Sequence, residues 1–268
     1  EYAWDKQVNF YQQFVLRVPA LEDNTAVVSS DEILMLMGEY PTAYALNAIY
    51  SDVEKGQESN IWFYALYSSF STKTSEFFDG MPLKEDFLLT EFNGNSHDII
   101  FVSYVPGKNQ CLWVLRPEDS HLTLLTDLER EASLYSNIAR IQTSKREDTL
   151  LPSAIFNTEM PQNWCSYYQR ADLARQRGEW QEITRLWEEA QANQKNPANG
   201  FEYIPFIEGY AHTQNWGQVK KLTRTANKIS QGMYHSLCPT LQNLEATTQA
   251  SSERDTVITD LHDYLKCQ

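Results

Sequence analysis

Catalysis or metal binding needs titratable or nucleophilic side chains brought together, and short spacings are how a sequence announces them. The five histidines, His97, His121, His212, His235 and His262, fall in five separate stretches. No His-Glu-x-x-His zinc motif, Gly-x-Ser-x-Gly elbow or glycine-rich phosphate loop occurs. The four cysteines, Cys111, Cys165, Cys238 and Cys267, are widely spaced with no Cys-x-x-Cys pair. A structural zinc site normally takes its ligands as close pairs, so none is expected. Cys165 and Cys238 both lie in the helical part and pair if the compartment is oxidising, against a default of buried free thiols. Asp255, Asp260, His262 and Asp263 spread round one helix and read as a solvated acidic face, as does Glu188-Glu189. No catalytic residue, metal or cofactor is assigned.

Five residues remain as ligand-binding candidates: Trp62, Tyr64, Glu202, Glu208 and Tyr210. The first two belong to the aromatic run Trp62-Phe63-Tyr64-Ala65-Leu66-Tyr67. Alternate residues of a strand face opposite sides, so Trp62 and Tyr64 line an exposed groove while Phe63 and Tyr67 are core, or the reverse. With helices on both sides, plain core is the default. Glu202, Glu208 and Tyr210 share a predicted helix with Phe201, Ile204, Phe206 and Ile207. An inward glutamate there needs a partner such as Arg170 or Arg175, because a buried unpaired carboxylate is costly. A structural hydrogen-bonding role is the default for this set too.

The elements that position these residues follow from periodicity. Trp4, Val8, Tyr11, Phe14 and Val15 recur at helical spacing over residues 1–17, and Pro19 ends the helix. Thr25–Ser29 is a short strand, with Ser30 and Asp31 as N-cap of a helix over Glu32–Met37. A strand leading into a capped helix is an α/β opening, whose ligands sit beyond the strand's C-terminal end; Ser29, Ser30 and Asp31 occupy that place, although capping alone explains them. Strands are predicted at Ile61–Ser68, Asp86–Phe92, Asp98–Val105 and Gln110–Arg116. Asn93-Gly94-Asn95 and Pro106-Gly107-Lys108-Asn109 read as tight turns, making the last three strands an antiparallel meander. A helix is expected over Asp127–Gln142.

From Tyr167 to Ala226 one pattern is written twice, 36 residues apart. Tyr167 matches Tyr203, Trp180 matches Trp216, Ile183 matches Val219, Leu186 matches Leu222 and Ala190 matches Ala226. Such a period marks a helical-hairpin repeat. Helices are predicted at Asn163–Arg177, Gln181–Asn193, Phe201–Thr213 and Gly217–Ile229. A divergent third pair, Met233–Ala246 and Glu253–Leu265, serves as an end cap. The fold class is therefore α+β or α/β. It has three parts: an α/β sandwich with a mixed, largely antiparallel sheet over 1–145, a connection over 146–162, and a tetratricopeptide-like helical array over 163–268.

With 42% hydrophobic residues the chain can build real cores, and its 15 Tyr, 12 Phe and 7 Trp suit burial or the lining of carbohydrate and peptide grooves. The net charge of −14 argues against nucleic acid, which is held by excess Lys and Arg. No run of roughly 18 apolar residues is present to span a membrane. The start at Glu1 without Met is what an excised or processed piece shows.

Several stretches resemble a known group. Trp164-Cys165, Ala171-Asp172-Leu173-Ala174-Arg175-Gln176, Gly178-Glu179-Trp180 and Pro205-Phe206-Ile207-Glu208-Gly209-Tyr210-Ala211 are similar to the C-terminal tail of large uncharacterised bacterial membrane proteins. Trp4, the aromatics of Phe10–Phe14 and Ser29-Ser30-Asp31 resemble the segment after their last transmembrane helices. Some of these proteins are similar to multi-spanning glycosyltransferases that use lipid-linked sugars. Their catalytic acid lies in the membrane part, so the resemblance carries no catalytic residue to this chain. It implies a non-catalytic extracytoplasmic interaction domain, binding a protein segment or a glycan beside the parent chain's membrane-embedded portion. The alternatives are an accessory domain of a membrane glycosyltransferase and a cytoplasmic scaffold.

Overall fold

The computed structural model describes residues 2–30, 33, 38–51, 59–70, 73–87, 90–105, 110–143 and 160–267. It is a mixed α+β structure of two compact units: Glu1–Ser120 with Leu125–Pro161, and His121–Leu124 with Gln162–Gln268. The helix predicted over Glu32–Met37, the Asp31 cap, the 106–109 turn and most of the 146–162 connection lie outside the described residues.

Unit 1 is built on a four-stranded sheet in the order β2-β1-β5-β6, where β1 is Thr25–Ser29, β2 Ile61–Ala65, β5 Ile99–Ser103 and β6 Trp113–Leu115. Strand β1 pairs in parallel with β2 (Val27 opposite Phe63) and with β5 (Val27 opposite Ile100), and only β5–β6 is antiparallel. The expected antiparallel meander is thus replaced by a mostly parallel arrangement. The residues of β1, β2 and β5 are all buried. A strand covered on both faces carries a continuous apolar run, and this overrides the two-residue alternation read from sequence.

Helices α1 (Tyr2–Arg17) and α2 (Glu39–Tyr50) pack together through Phe14 and Tyr50, whose hydroxyl donates to Val18 O at 2.6 Å. Gln13 of α1 accepts from Leu112 N–H at 2.7 Å just before β6. Trp4, expected on the apolar face of α1, is 44% exposed, whereas Phe10 and Phe14 are fully buried. Two short helices follow β2: α3 (Leu66–Phe70) and α4 (Thr74–Phe78).

A separate antiparallel hairpin, β3 (Pro82–Phe87) with β4 (Thr90–Asn95), lies between α4 and β5 in the chain. Asp86–Phe92 therefore spans the hairpin's reversal instead of forming one strand. Asn93-Gly94-Asn95, expected as a turn, lies in β4 opposite Pro82–Lys84. Glycine is required there by close approach: a Cβ on Gly94 would meet the Phe92 ring at 2.5 Å and Asn24 O at 3.0 Å. The helix expected over Asp127–Gln142 is shorter. It appears as α5 (Asp127–Ser133) and a 3₁₀ turn at Ile138–Arg140, because Ser136 and Asn137 leave the helix to bond β5 at Phe101 N–H and Ile99 O.

Unit 2 is helical: α6 (Trp164–Arg177), α7 (Trp180–Ala192), α8 (Ile204–His212), α9 (Trp216–Ile229), α10 (Tyr234–Thr247) and α11 (Ser252–Leu265). The first two pairs end their leading helices alike. Glu179 N–H reaches back to Ala174 O at 2.9 Å, and one repeat later Asn215 N–H reaches Tyr210 O at 2.8 Å. Gly178 and Gln214 hold the left-handed conformation this closure needs, at φ 70° and 62°. Asn163 and Asn215 side chains cap α6 and α9. Matched residues are matched in burial: Ile183 and Val219, Leu186 and Leu222, and Ala190 and Ala226 are all in the core. Helix α8 packs against α6, α7, α9 and α10, and Ile204–Ala211 are all buried.

Cys238 bonds Cys267, closing the last helical pair into a covalent loop. This replaces the Cys165–Cys238 pairing entertained for an oxidising compartment, and the default of buried free thiols is corrected too, since none of the four cysteines is free. Cys267 lies just past α11, which packs on α10, so it reaches Cys238 although sequence spacing gives no hint of it.

Gly209 is the point of closest approach between α7 and α8, where a Cβ would meet Ile183 Cγ2 at 2.6 Å and its Cβ at 2.9 Å. Alanine gains about 1 kcal/mol of helix propensity over glycine. Overpacking a fully buried isoleucine costs about 1–3 kcal/mol. Gly209→Ala is accordingly expected to lose up to about 2 kcal/mol in urea unfolding of the chain, and a raised midpoint would contradict this packing.

Candidate functional site

The five candidate residues from sequence do not form one site. Trp62 and Tyr64, expected as an exposed pair or as core, are 0% and 1% exposed, and all five residues of β2 are buried, so they line no open groove. Phe92 of β4 covers both, with ring centroids at 6.1 Å from Trp62 and 6.3 Å from Tyr64. Tyr67, grouped by alternation with Phe63, is instead 67% exposed. The chain turns from strand to helix at Leu66, which ends the two-residue period.

In unit 2, Glu202 accepts from Trp164 Nε1 at 2.6 Å and from Asn199 Nδ2 at 2.9 Å, fully buried. Glu208 receives both Arg175 Nε and Nη2 as a bidentate pair, and Arg175 Nη1 lies 3.5 Å from Asp172. These carboxylates tie α6 to the α8 segment. A buried charge held by such partners is costly to disrupt and has no spare lone pair directed at solvent. Burial, and secondarily the nearby Glu188 carboxylate, push the Tyr210 hydroxyl up to about 12. His212 stacks on Trp180 with ring centroids 3.8 Å apart. Burial lowers the His212 pKa below its ordinary value, partly offset by Glu208.

Unit 1 contains a polar network that sequence reasoning did not assemble. Strands β1 and β5 are parallel neighbours, yet β1 leads to β2 on one side and β5 to β6 on the other. Open α/β sheets bind ligands beyond the C-terminal ends of strands at such a reversal. Just past β2, Tyr67 N–H donates to Ser30 O at 3.0 Å, and Ser30 is the residue after β1. The Ser30 hydroxyl donates to Glu129 Oε1 at 3.3 Å. Ser103, the last residue of β5, donates its hydroxyl to the same oxygen at 3.0 Å. Gln110 Nε2 in turn donates to Ser103 Oγ at 3.2 Å. The chain of contacts Tyr67–Ser30–Glu129–Ser103–Gln110 thus runs along the C-terminal edge of all three parallel strands.

Glu129 is positioned by its helix. Thr126 caps α5, and the other carboxylate oxygen of Glu129 accepts from Thr126 N–H at 2.8 Å in a reciprocal capping box. The Thr126-x-x-Glu129 spacing was the one signal in the sequence that could have found this residue. Nothing local announces Ser103, Gln110 or Tyr67. Ser103 and Glu129 are buried, Ser30 and Gln110 half-buried, and the Tyr67 ring stands in solvent.

No imidazole joins the network among the described residues, and a carboxylate alone is a weak base for a serine hydroxyl. The arrangement suits recognition: hydroxyl and amide groups that both donate and accept, beside an exposed aromatic face. No group of His, Cys, Asp and Glu able to hold a metal is found among the described residues. No protein-family model, curated protein or solved structure matches the chain.

The His212 environment has a pH consequence. Its folded pKa lies below the unfolded one, so the stability gained from keeping it neutral is present above the unfolded value near 6.5 and is lost as pH falls through the folded value. The chain is expected to lose more stability between pH 7 and 5 than a His212→Phe variant, which keeps the stack on Trp180. Denaturant midpoints at the two pH values check this; parallel losses would refute it.

Proposed function

We propose that this chain is a non-catalytic, extracytoplasmic interaction domain of a bacterial membrane protein, and that it binds a glycan at the C-terminal edge of β1, β2 and β5. The observation that carries the reading is the Tyr67–Ser30–Glu129–Ser103–Gln110 network at a topological reversal of the sheet. Sugars present one apolar ring face and a rim of hydroxyls, and an exposed tyrosine beside paired donors and acceptors complements both. Gln110 Oε1 and the serine lone pairs are the acceptors a sugar hydroxyl would use.

Unit 2 is read as a tetratricopeptide-like support, with three helical pairs of which the first two share the closure at Gly178 and Gln214. A peptide-binding array exposes the inner face of its leading helices. Here α8 is buried from Ile204 to Ala211 and α6 over most of its length, which favours a glycan on unit 1 over a protein segment on unit 2. The Cys238–Cys267 bond supports an oxidising compartment. The membrane context comes from the resemblance of the Trp164–Ala211 motifs. Among the described residues no helix is long and apolar enough to cross a membrane.

Two outcomes are expected. On a glycan array the chain retains a defined set of oligosaccharides, and Tyr67→Ala weakens them about tenfold without shifting the melting temperature, as loss of one stacking face should. Silence across the array, with peptide capture instead, would replace this reading by a protein-segment one. Separately, Cys238→Ser with Cys267→Ser is expected to cost about 3–4 kcal/mol, from opening a loop of 29 residues. Material recovered from an oxidising compartment should bind no thiol reagent at these positions, and free thiols there would contradict the placement.

A further inference from the structure

Charge is unevenly distributed along unit 2. The chain carries 36 Asp and Glu, yet none lies between Glu208 and Glu245, a stretch that includes α9 and most of α10. In the same stretch fall Lys220, Lys221, Arg224 and Lys228, all on α9. Lys221, Arg224 and Lys228 stand three and four residues apart, so they line one stripe of the helix. That stripe faces away from the buried side of α9, formed by Trp216, Val219, Leu222, Thr223 and Ala226, and Lys220 flanks it. Lys221 and Lys228 are exposed.

Helix α11, which packs on α9, neutralises only part of this charge. Asp260 is shared by two cations, Lys220 Nζ at 3.2 Å and Arg224 Nη2 at 2.8 Å. The Arg224 guanidinium also lies over the Tyr264 ring, 5.0 Å from its centroid. Among the described residues neither Lys221 nor Lys228 forms an ion pair. Lys228 sits in the last turn of α9, where a cation complements the helix dipole; Lys221, near the middle, gains nothing from it. Exposed apolar groups border the cations. Ile229 follows Lys228 and is 42% exposed, and Tyr264 beside Arg224 is 36% exposed.

We propose that this stripe of α9 docks on the anionic headgroups of a lipid bilayer, with Lys221, Arg224 and Lys228 against the phosphates and Ile229 and Tyr264 at the headgroup boundary. An outward stripe of one helix presents a row of charges, and a row bordered by an aliphatic and a tyrosine side chain suits a planar phosphate layer. With a net charge of −14 the rest of the surface repels such a layer, so close approach is confined to α9. The inference does not draw on the glycan reading, and its failure leaves that reading standing.

Vesicle flotation tests it, using liposomes of phosphatidylcholine alone and liposomes with about a third phosphatidylglycerol, at low salt. The native chain is expected to float with the anionic vesicles and not with the neutral ones, and to be released as added salt screens the exposed charges. Each lysine near such a surface contributes about fivefold, so Lys221→Gln with Lys228→Gln should lower the partition coefficient about twentyfold. Lys73→Gln with Lys84→Gln removes the same charge from exposed lysines of unit 1 and should leave binding nearly unchanged. No flotation with anionic vesicles, or equal losses in the two double variants, overturns the proposal. So does capture of the native chain by immobilised polyglutamate while the vesicles stay unbound, which would assign the stripe to an acidic protein segment. All four lysines are exposed, so both variants should keep the native fold, and circular dichroism checks that they do.

Discussion

Strand β1 is the constraint on which unit 1 depends. Both of its edges are hydrogen-bonded to parallel neighbours, and every residue from Thr25 to Ser29 is buried. A central strand of this kind leaves no ladder group for water to satisfy, so its neighbours must be present and in register for it to exist. Its position between β2 and β5 also creates the reversal of connectivity beyond Ser30 and Ser103, the place where open α/β sheets hold their ligands. The polar groups gather where the strands end and the ladder can no longer use them.

Carboxylates join the elements in both units, and their partners separate structural roles from available ones. Glu129 holds the ends of β1 and β5 against the start of α5. Glu202 and Glu208 each hold α6 to the segment around α8, one through an indole N–H and an amide, the other through a guanidinium fork. Buried acids with full sets of donors are internal fasteners, since breaking one strands its partner away from water.

The two copies of the repeat show how far identical spacing enforces identical geometry. Both leading helices close through the same reach-back hydrogen bond, although one uses glycine and the other Gln214 in the left-handed region. Divergence appears at the aromatic position: Trp216 is fully buried, whereas Trp180 is half-buried and stacks on His212. The third pair lacks the repeat's tryptophan and carries a disulfide instead. A covalent loop supplies part of the constraint that helix packing supplies elsewhere in unit 2.

The helices of unit 2 were legible in the sequence because caps, the 3.6-residue period and the Trp and Ala positions act between residues a few places apart. So was the existence of strands at Thr25, Ile61 and Asp98, for the same reason. A cation partner for an inward glutamate of this helix could be narrowed in advance to Arg170 or Arg175, because a buried carboxylate demands one; the structure selects Arg175 for Glu208. Only the tertiary structure decided the order and direction of the strands, the place of Asn93-Gly94-Asn95 inside β4, the burial of Trp62 and Tyr64, the exposure of Tyr67, and the pairing of Cys238 with Cys267. Ser30 and Glu129 meet across 99 residues of chain. Contacts at such separations depend on which strands pair and which faces are covered, and that choice is made by the summed burial of the whole core, not by any motif local to the residues concerned.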